Sequence, residues 1–250
     1  MPRAVQFLAL AGLPEVAVGT DLAQLIREAL SNNAVELRAD DLLVVAQKIV
    51  SKAEGRLRRL SQVVPSPTAV DLAAVVQKDP RFVELVLEES AEVVRAVPNI
   101  LITRHRCGWV MANAGIDRSN VPGADDAVLL LPEDCDGSAR RLREALAPAH
   151  PAIIISDSFG RAWREGTVNV ALGVAGYSAL RDLRGSCDRQ GRVLQTTQPA
   201  LADAVAAGAG LVMGESTEGT PVVLVRGLDF SAPLSDGQVL VRAREGDLFR

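Results

Sequence analysis

The aliphatic runs of this chain are short, and that feature constrains its fold most. Leu42–Ala46, Ile153–Ile155 and the VVLV of residues 222–225 each stop at polar or turn-forming neighbours. They are too short to cross a bilayer and read as buried strands. Between them lie segments with apolar residues at helical spacing. One, TDLAQLIREAL, opens on an N-cap at Thr20 or Asp21; others are DGSARRLREALA and the alanine-rich QPALADAVAAGAGLVMG. RFVELVLEESAEVVRAV reads as one long amphipathic helix closed by Pro98, with Glu88 and Glu89 on its polar face. ILITRHRCGWVMANAG reads as a hairpin turning near Cys107-Gly108, with His105 at a solvated tip. Aromatic residues are only 3% of the chain, so Val, Leu, Ala and Ile must fill the core. The fold class expected is α/β in the mixed, α+β sense, over 250 residues with no clear linker.

Charge and cysteine usage remove several function classes. A net charge of −4 argues against nucleic acid as the main partner. Three scattered cysteines without a CxxC pair suggest a reducing compartment and no disulfide framework. The apolar stretch at the N-terminus lacks a signal-peptide pattern, so a cytoplasmic location without membrane association is expected. No P-loop or HExxH motif occurs, and neither His105 nor His150 has a partner at metal-ligand spacing. The GAGLVMG of residues 208–214 imitates a dinucleotide fingerprint but follows a helical run rather than a strand.

What remains is oxygen and phosphate chemistry. Asp117 in NAGIDRSNV, Asp157 and Ser158 in ISDSFGR, and Glu215 in MGESTEGTP stand near the ends of buried segments. Hard cations such as Mg²⁺ and Mn²⁺ take such donors and share them with substrate phosphates. Taken singly, each acid is more simply a turn or helix cap, and spacing alone does not show that they converge. Lys48, Lys52, Arg161 and Arg164 offer positive charge for phosphate oxygens, with a solvated, salt-bridged face as the alternative.

Seven stretches then occur in order: GLPEV (12–16), VVAQKIVSKAEGR (44–56), VLEES (86–90), NAGIDRSNV (113–121), LLLPEDCDGSA (129–139), ISDSFGRAWREG (155–166) and PVVLVRG (221–227). Together they resemble the coenzyme F420-0:γ-glutamyl ligase family, from about residue 8 to about residue 229. The resemblance implies a GTP-dependent ligase that joins L-glutamate to the lactyl-phosphate carboxylate of F420-0, and sometimes adds further γ-linked glutamates. It implies a two-part fold with mixed sheets in an intertwined homodimer, assisted by two Mn²⁺ or Mg²⁺ ions per site and by K⁺. Some relatives carry a fused reductase domain; a single ligase domain over residues 1–250 without it, with two subdomains left open, is the expectation here.

Residue by residue, the resemblance assigns metal ligation to Asp117, Asp157, Ser158 and Glu215. Guanine nucleotide contacts fall to Leu13, Pro14, Glu15, Val16, Gln47, Lys48, Lys52 and Asn120. The loop Met213, Gly214, Glu215, Ser216, Thr217, Glu218, Gly219, Thr220 is expected to close over that nucleotide. Asp117, Asp157, Lys52 and Arg161 are the residues expected to act on the reaction. Cys107 stands where many members have His, and Cys135 where Pro is common, which leaves the proposed ligands untouched. Two other readings stay open: an amide ligase for a related acceptor or amino acid, and a non-catalytic module binding metal or nucleotide.

Overall fold

The computed structural model describes residues 4–119 and 125–247. Its centre is a five-stranded sheet of β1 (Gln6–Ala9), β2 (Leu42–Ala46), β8 (Ala152–Arg161), β9 (Arg164–Ala175) and β10 (Val222–Arg226), in the order β1-β10-β2-β8-β9. β2 and β8 run parallel, with Leu42 opposite Ala152 and Ala46 opposite Ser156; the other pairings are antiparallel. This mixed sheet explains why the central strands read as unbroken apolar runs: both of their faces are covered. Leu43, Val45, Ile153, Ile155 and Leu224 pack beneath α1 (Leu22–Asn32) and α5 (Cys135–Ala145). Their neighbours Leu42, Val44, Ile154, Val223 and Val225 face the opposite way, against α6 (Leu201–Met213).

A second group of elements builds its own core. The 3-stranded sheet β4 (Ser90–Val97), β5 (Ile100–His105) and β6 (Val110–Ala112) is antiparallel throughout. A short pair, β3 (Leu57–Arg59) with β7 (Ala127–Leu129), follows α2 (Gln47–Ala53). α3 (Pro67–Val76) and α4 (Pro80–Glu88) contribute Ala73, Val76, Val83, Leu85 and Val86 to a cluster with Leu101, Val128 and Leu130. The structure is α+β as expected. Among the described residues, no helix is long and apolar enough to cross a membrane.

The sequence reading is corrected at three places. The segment 81–97 is not one helix: α4 ends at Glu88, and residues 90–97 form an edge strand. Glu89 is therefore buried at the helix–strand joint, and only Glu88 stays on a polar face. His105 is buried at the end of β5 rather than solvated at a tip. Asp157 lies inside the long strand β8 and not at its end. The GAGLVMG segment is the C-terminal part of α6, so no dinucleotide turn exists there.

Candidate active site

The C-terminal end of β2, the middle of β8 and the entry to β10 meet at one edge of the central sheet. There they wall a cleft of ≈ 720 Å³. Ligands commonly bind where parallel strands release their C-terminal ends. β2 passes directly into α2, so Gln47, Lys48 and Lys52 project from a helix rooted in the sheet. Leu13, Pro14, Glu15 and Val16 form a second wall, and residues 213–219, following α6, form a third. Every nucleotide contact expected within 13–16, 47–52 and 213–219 therefore lines one space. Thr220 does not line it; its hydroxyl donates to the Met213 carbonyl at 2.8 Å and closes the loop base. Asn120 lies outside the described residues. Arg161, at the β8–β9 turn, is exposed, donates to the Glu165 carbonyl at 3.1 Å, and lies outside the cleft lining.

The floor of the cleft is set by an irregularity in the sheet. Between Ile155 and Ser156 the β8–β9 register shifts, because Leu172 is an extra residue on β9. Such a bulge re-aims side chains, and here Ser156, Asp157 and Ser158 all reach the cleft. Two carboxylates hold the bulge open. Asp203 of α6 accepts from the Ala171 N–H at 2.9 Å, and Asp136 of α5 accepts from the Val174 N–H at 2.7 Å. Asn169, opposite Ser158 in the register, also lines the cleft; it sits against Gly210, where a Cβ would come within 3.0 Å of its side chain.

Asp117 arrives from the other core. Its backbone exchanges two 2.9 Å hydrogen bonds with Leu129 of β7, and Leu129 in turn pairs with Leu57 of β3, just beyond α2. The approach to Asp117 runs through Asn113 and Ala114, both in the left-handed region at φ 51° and 53°, and Gly115 at φ 71°. A non-glycine pair held there is a strained feature of the kind that collects at functional sites. Lys48 Nζ lies 2.7 Å from Asp117 Oδ2 and donates to Ser119 Oγ at 2.9 Å. Lys52 Nζ is 3.2 Å from Glu15 Oε2, with the lysine 12% and the glutamate 87% exposed.

These charges act on Asp157. Burial pushes its carboxyl up to about 7, and the negative charge of Asp117 adds to the rise. The Ser158 N–H, the Lys48 ammonium and the Gln47 amide oppose it without prevailing. Asp117 goes the other way: although burial raises it, the Lys48 ammonium and the Ser119 donors hold it below the ordinary carboxylate value. Two acids in one electrostatic neighbourhood are thus pushed apart, a pattern typical of reactive sites. Ser156 Oγ is buried at this floor with no hydrogen-bond partner among the described residues, and Gln47 Oε1 is engaged by the Ser51 hydroxyl at 2.9 Å.

The donor set fits a hard divalent cation. An ammonium already sits at 2.7 Å on one carboxylate, and the second is destabilised by burial and by the negative charge of the first, which a cation would relieve. Hydroxyl oxygens of Ser156 and Ser158 complete an oxygen-rich floor. Glu215, on the exposed loop, stands at the cleft rim. Among the described residues, no three His, Cys, Asp or Glu side chains gather as a ready-made cluster. Ser156 and Asn169 went unread in the sequence, although an asparagine within an apolar strand was the available signal for the latter.

Comparison with known proteins gives these features a context. The family model described as F420-0:Gamma-glutamyl ligase matches residues 12–227. A coenzyme F420:L-glutamate ligase of Methanothermobacter thermautotrophicus is 45% identical over 251 residues, covering 98% of this chain and 99% of the relative. The protein of the same name from Methanopyrus kandleri is 44% identical, with 94% of each chain covered. That of Archaeoglobus fulgidus is 41% identical, over 98% of this chain and 96% of its own length. The cleft lining falls wholly within the matched residues, and the chain belongs to the F420-0:γ-glutamyl ligase family.

Proposed function

We propose that the protein is a GTP-dependent ligase that adds L-glutamate to the tail carboxylate of coenzyme F420-0. The observation that carries this reading is the end-to-end identity of 45% to a relative named for that ligation. The cleft supports it by lining one space with Lys48, Lys52 and Asp157, and Lys48 reaches out of it to pair with Asp117, a set suited to a polyphosphate and its counter-cations.

A carboxylate cannot be attacked by an amine at neutral pH because its leaving group is poor. The proposed route couples two displacements. A tail carboxylate oxygen bonds to the γ-phosphorus of GTP while the bond to the β-phosphate bridge breaks, giving an acyl phosphate and GDP. The unprotonated amine of glutamate then attacks the acyl carbon; the C–N bond forms, the amine loses a proton, and phosphate leaves. Phosphoryl transfer of this kind depends on positioning and charge neutralisation. Lys52 serves that need, because its only ion-pair partner among the described residues is a highly exposed glutamate that phosphate can displace. Lys48 holds Asp117 and neutralises charge beside it. Asp117, Asp157 and Ser158, with Glu215 from the loop, would hold two divalent cations, Mn²⁺ or Mg²⁺, which supply Lewis-acid polarisation when bound. Residues 213–220 would close over the nucleotide and exclude water.

Incubating the purified protein with F420-0, L-glutamate, GTP, Mn²⁺ and K⁺ tests the reading. A product heavier by one or more glutamyl units, with GDP released, supports it; no mass gain rejects it. Replacing GTP by ATP, K⁺ by Na⁺, or the amino acid and acceptor by analogues checks each finer element. A homodimer belongs to the same proposal. Val93, Val94, Ile100 and Val110 lie exposed on the β4–β6 sheet, a surface that a second copy would cover, and light scattering decides the mass. Nucleotide and glutamate as substrates suit a cytoplasmic setting.

A further inference from the structure

A second cavity, of ≈ 470 Å³, opens on the far side of Asp117 from the nucleotide cleft. The two spaces are joined across the Lys48–Asp117 ion pair, since Lys48 lines one and Asp117 the other. The size is in the range of small-molecule sites. Two cations, Lys78 and Arg118, line the cavity, and among the described residues neither has a carboxylate within ion-pair distance. Asp79, which also lines it, is already engaged: it accepts from the Arg81 N–H at 2.8 Å and pairs with the Arg81 guanidinium at 2.6 Å. Lys78 is held over the Phe82 ring, 5.9 Å from its centroid, and lies close enough to Arg118 for the like charges to repel. Two unneutralised cations side by side in a hollow are a site for anionic groups.

The same hollow also carries the opposite chemistry. Asn113 Oδ1 is buried with no hydrogen-bond partner among the described residues, and Asp117 lines the same hollow. Together these acceptors suit a cationic donor. Phe82 and Ile116 supply apolar wall. The complement of this lining is a short chain that carries carboxylates and an ammonium together. A phosphorylated acceptor tail would satisfy the cations but offers nothing to Asn113 Oδ1.

We propose that this cavity is the subsite for the amino-acid substrate, L-glutamate, with its carboxylates on Lys78 and Arg118 and its amine directed to Asn113 and Asp117. The assignment rests on the ligase reading above. It places the amine at the boundary with the nucleotide cleft, where the activated acyl carbon must be delivered.

Steady-state kinetics with each substrate varied in turn tests the assignment, using Lys78→Gln and Arg118→Gln, with Arg118→Lys as the conservative control. Each Gln variant should raise the KM for L-glutamate about tenfold or more, the loss expected for one charge-assisted contact. The KM values for GTP and F420-0 and the melting temperature should stay unchanged, and Arg118→Lys should recover part of the loss. An unchanged KM for L-glutamate, or a rise confined to F420-0, overturns the subsite while leaving ligation intact. If the wild-type protein fails to ligate, the functional reading falls on its own. Saturation-transfer NMR with L-glutamate, and with glutarate as the probe lacking the amine, then decides the subsite. Binding of L-glutamate over glutarate, lost in both Gln variants, upholds it; no binding overturns it.

Discussion

Glu89 illustrates how single residues here are set against their surroundings. Its carboxylate, 8% exposed, lies 2.9 Å from Arg56 Nη2, 2.8 Å from Arg106 Nη2 and 3.5 Å from His105 Nε2. The Cys107 N–H donates to His105 Nδ1 at 3.0 Å, which leaves the ring proton on Nε2, facing the acid. Burial alone would raise the Glu89 carboxyl, but the His105 N–H and the two guanidinium charges overcome it and hold the group down to about 2. Because the folded value is depressed, the stabilisation is complete above the unfolded value near 4.5 and is lost as pH falls through about 2. Its size is about 3 kcal/mol by linkage. Denaturant titrations of wild type and Glu89→Gln from pH 7 to pH 2.5 should show a gap of that order at pH 7 that narrows in acid. A gap independent of pH would refute the assignment. Asp157 is the converse case, an acid kept uncomfortable by burial. Asp157→Asn should abolish ligation yet melt no lower than wild type in the absence of ligands, since the amide removes a buried charge. A fully active variant would remove Asp157 from the chemistry.

Among the elements, the bulge on β9 has the widest consequences, because it turns Ser156, Asp157 and Ser158 into the cleft. Asp136, in the first turn of α5, accepts from the N–H groups of Val174 at 2.7 Å, Gly237 at 2.8 Å and Gln238 at 3.3 Å. Asp136→Ala strands those donors at a packed joint and should cost about 2–4 kcal/mol, or roughly 5–10 °C in melting temperature. Asp136→Asn, which keeps one acceptor oxygen, should lose less; equal losses would mean that the hydrogen bonds contribute little. The sequence betrayed the elements unevenly. β2, β8 and β10 were legible because burial on both faces writes an unbroken aliphatic run. α5 and α6 were legible from their period. The α4–β4 joint was not, because no glycine or proline marks it and Val93, Val94 and Ala96 continue the apolar spacing of Val83, Leu85 and Val86. Asp157 looked like a strand end because polar residues inside a strand are rare without a bulge, and a bulge depends on the partner strand. Lys48 meeting Asp117, 69 positions apart, follows from the β3–β7 pairing, which local spacing does not encode.

On the scale of the molecule, the cleft is a junction. Its walls come from residues 13–17, 46–49 with 52, 156–158 and 213–219 with 221, and Asn169 from β9. Those segments hang on both faces of the central sheet, and Asp117, from the second core, is tied to the cleft through its ion pair with Lys48. A ligand that bridges them binds only the assembled protein, so it stabilises the whole fold by mass action. At about one hundred times its dissociation constant, a nucleotide contributes about 2.7 kcal/mol. For a chain of this length that corresponds to roughly 5–10 °C in melting temperature. Calorimetry with GTP and Mn²⁺ together should show such a rise for wild type. Lys52→Ala and Asp157→Asn should each show a much smaller one, for different reasons. On the proposed reading the first would lose phosphate neutralisation and should be partly compensated by more nucleotide; the second would lose a cation ligand and should respond instead to more Mn²⁺. A wild-type melting temperature indifferent to GTP and Mn²⁺ at millimolar concentration would dissociate this cleft from the nucleotide and leave the four convergent segments as packing alone.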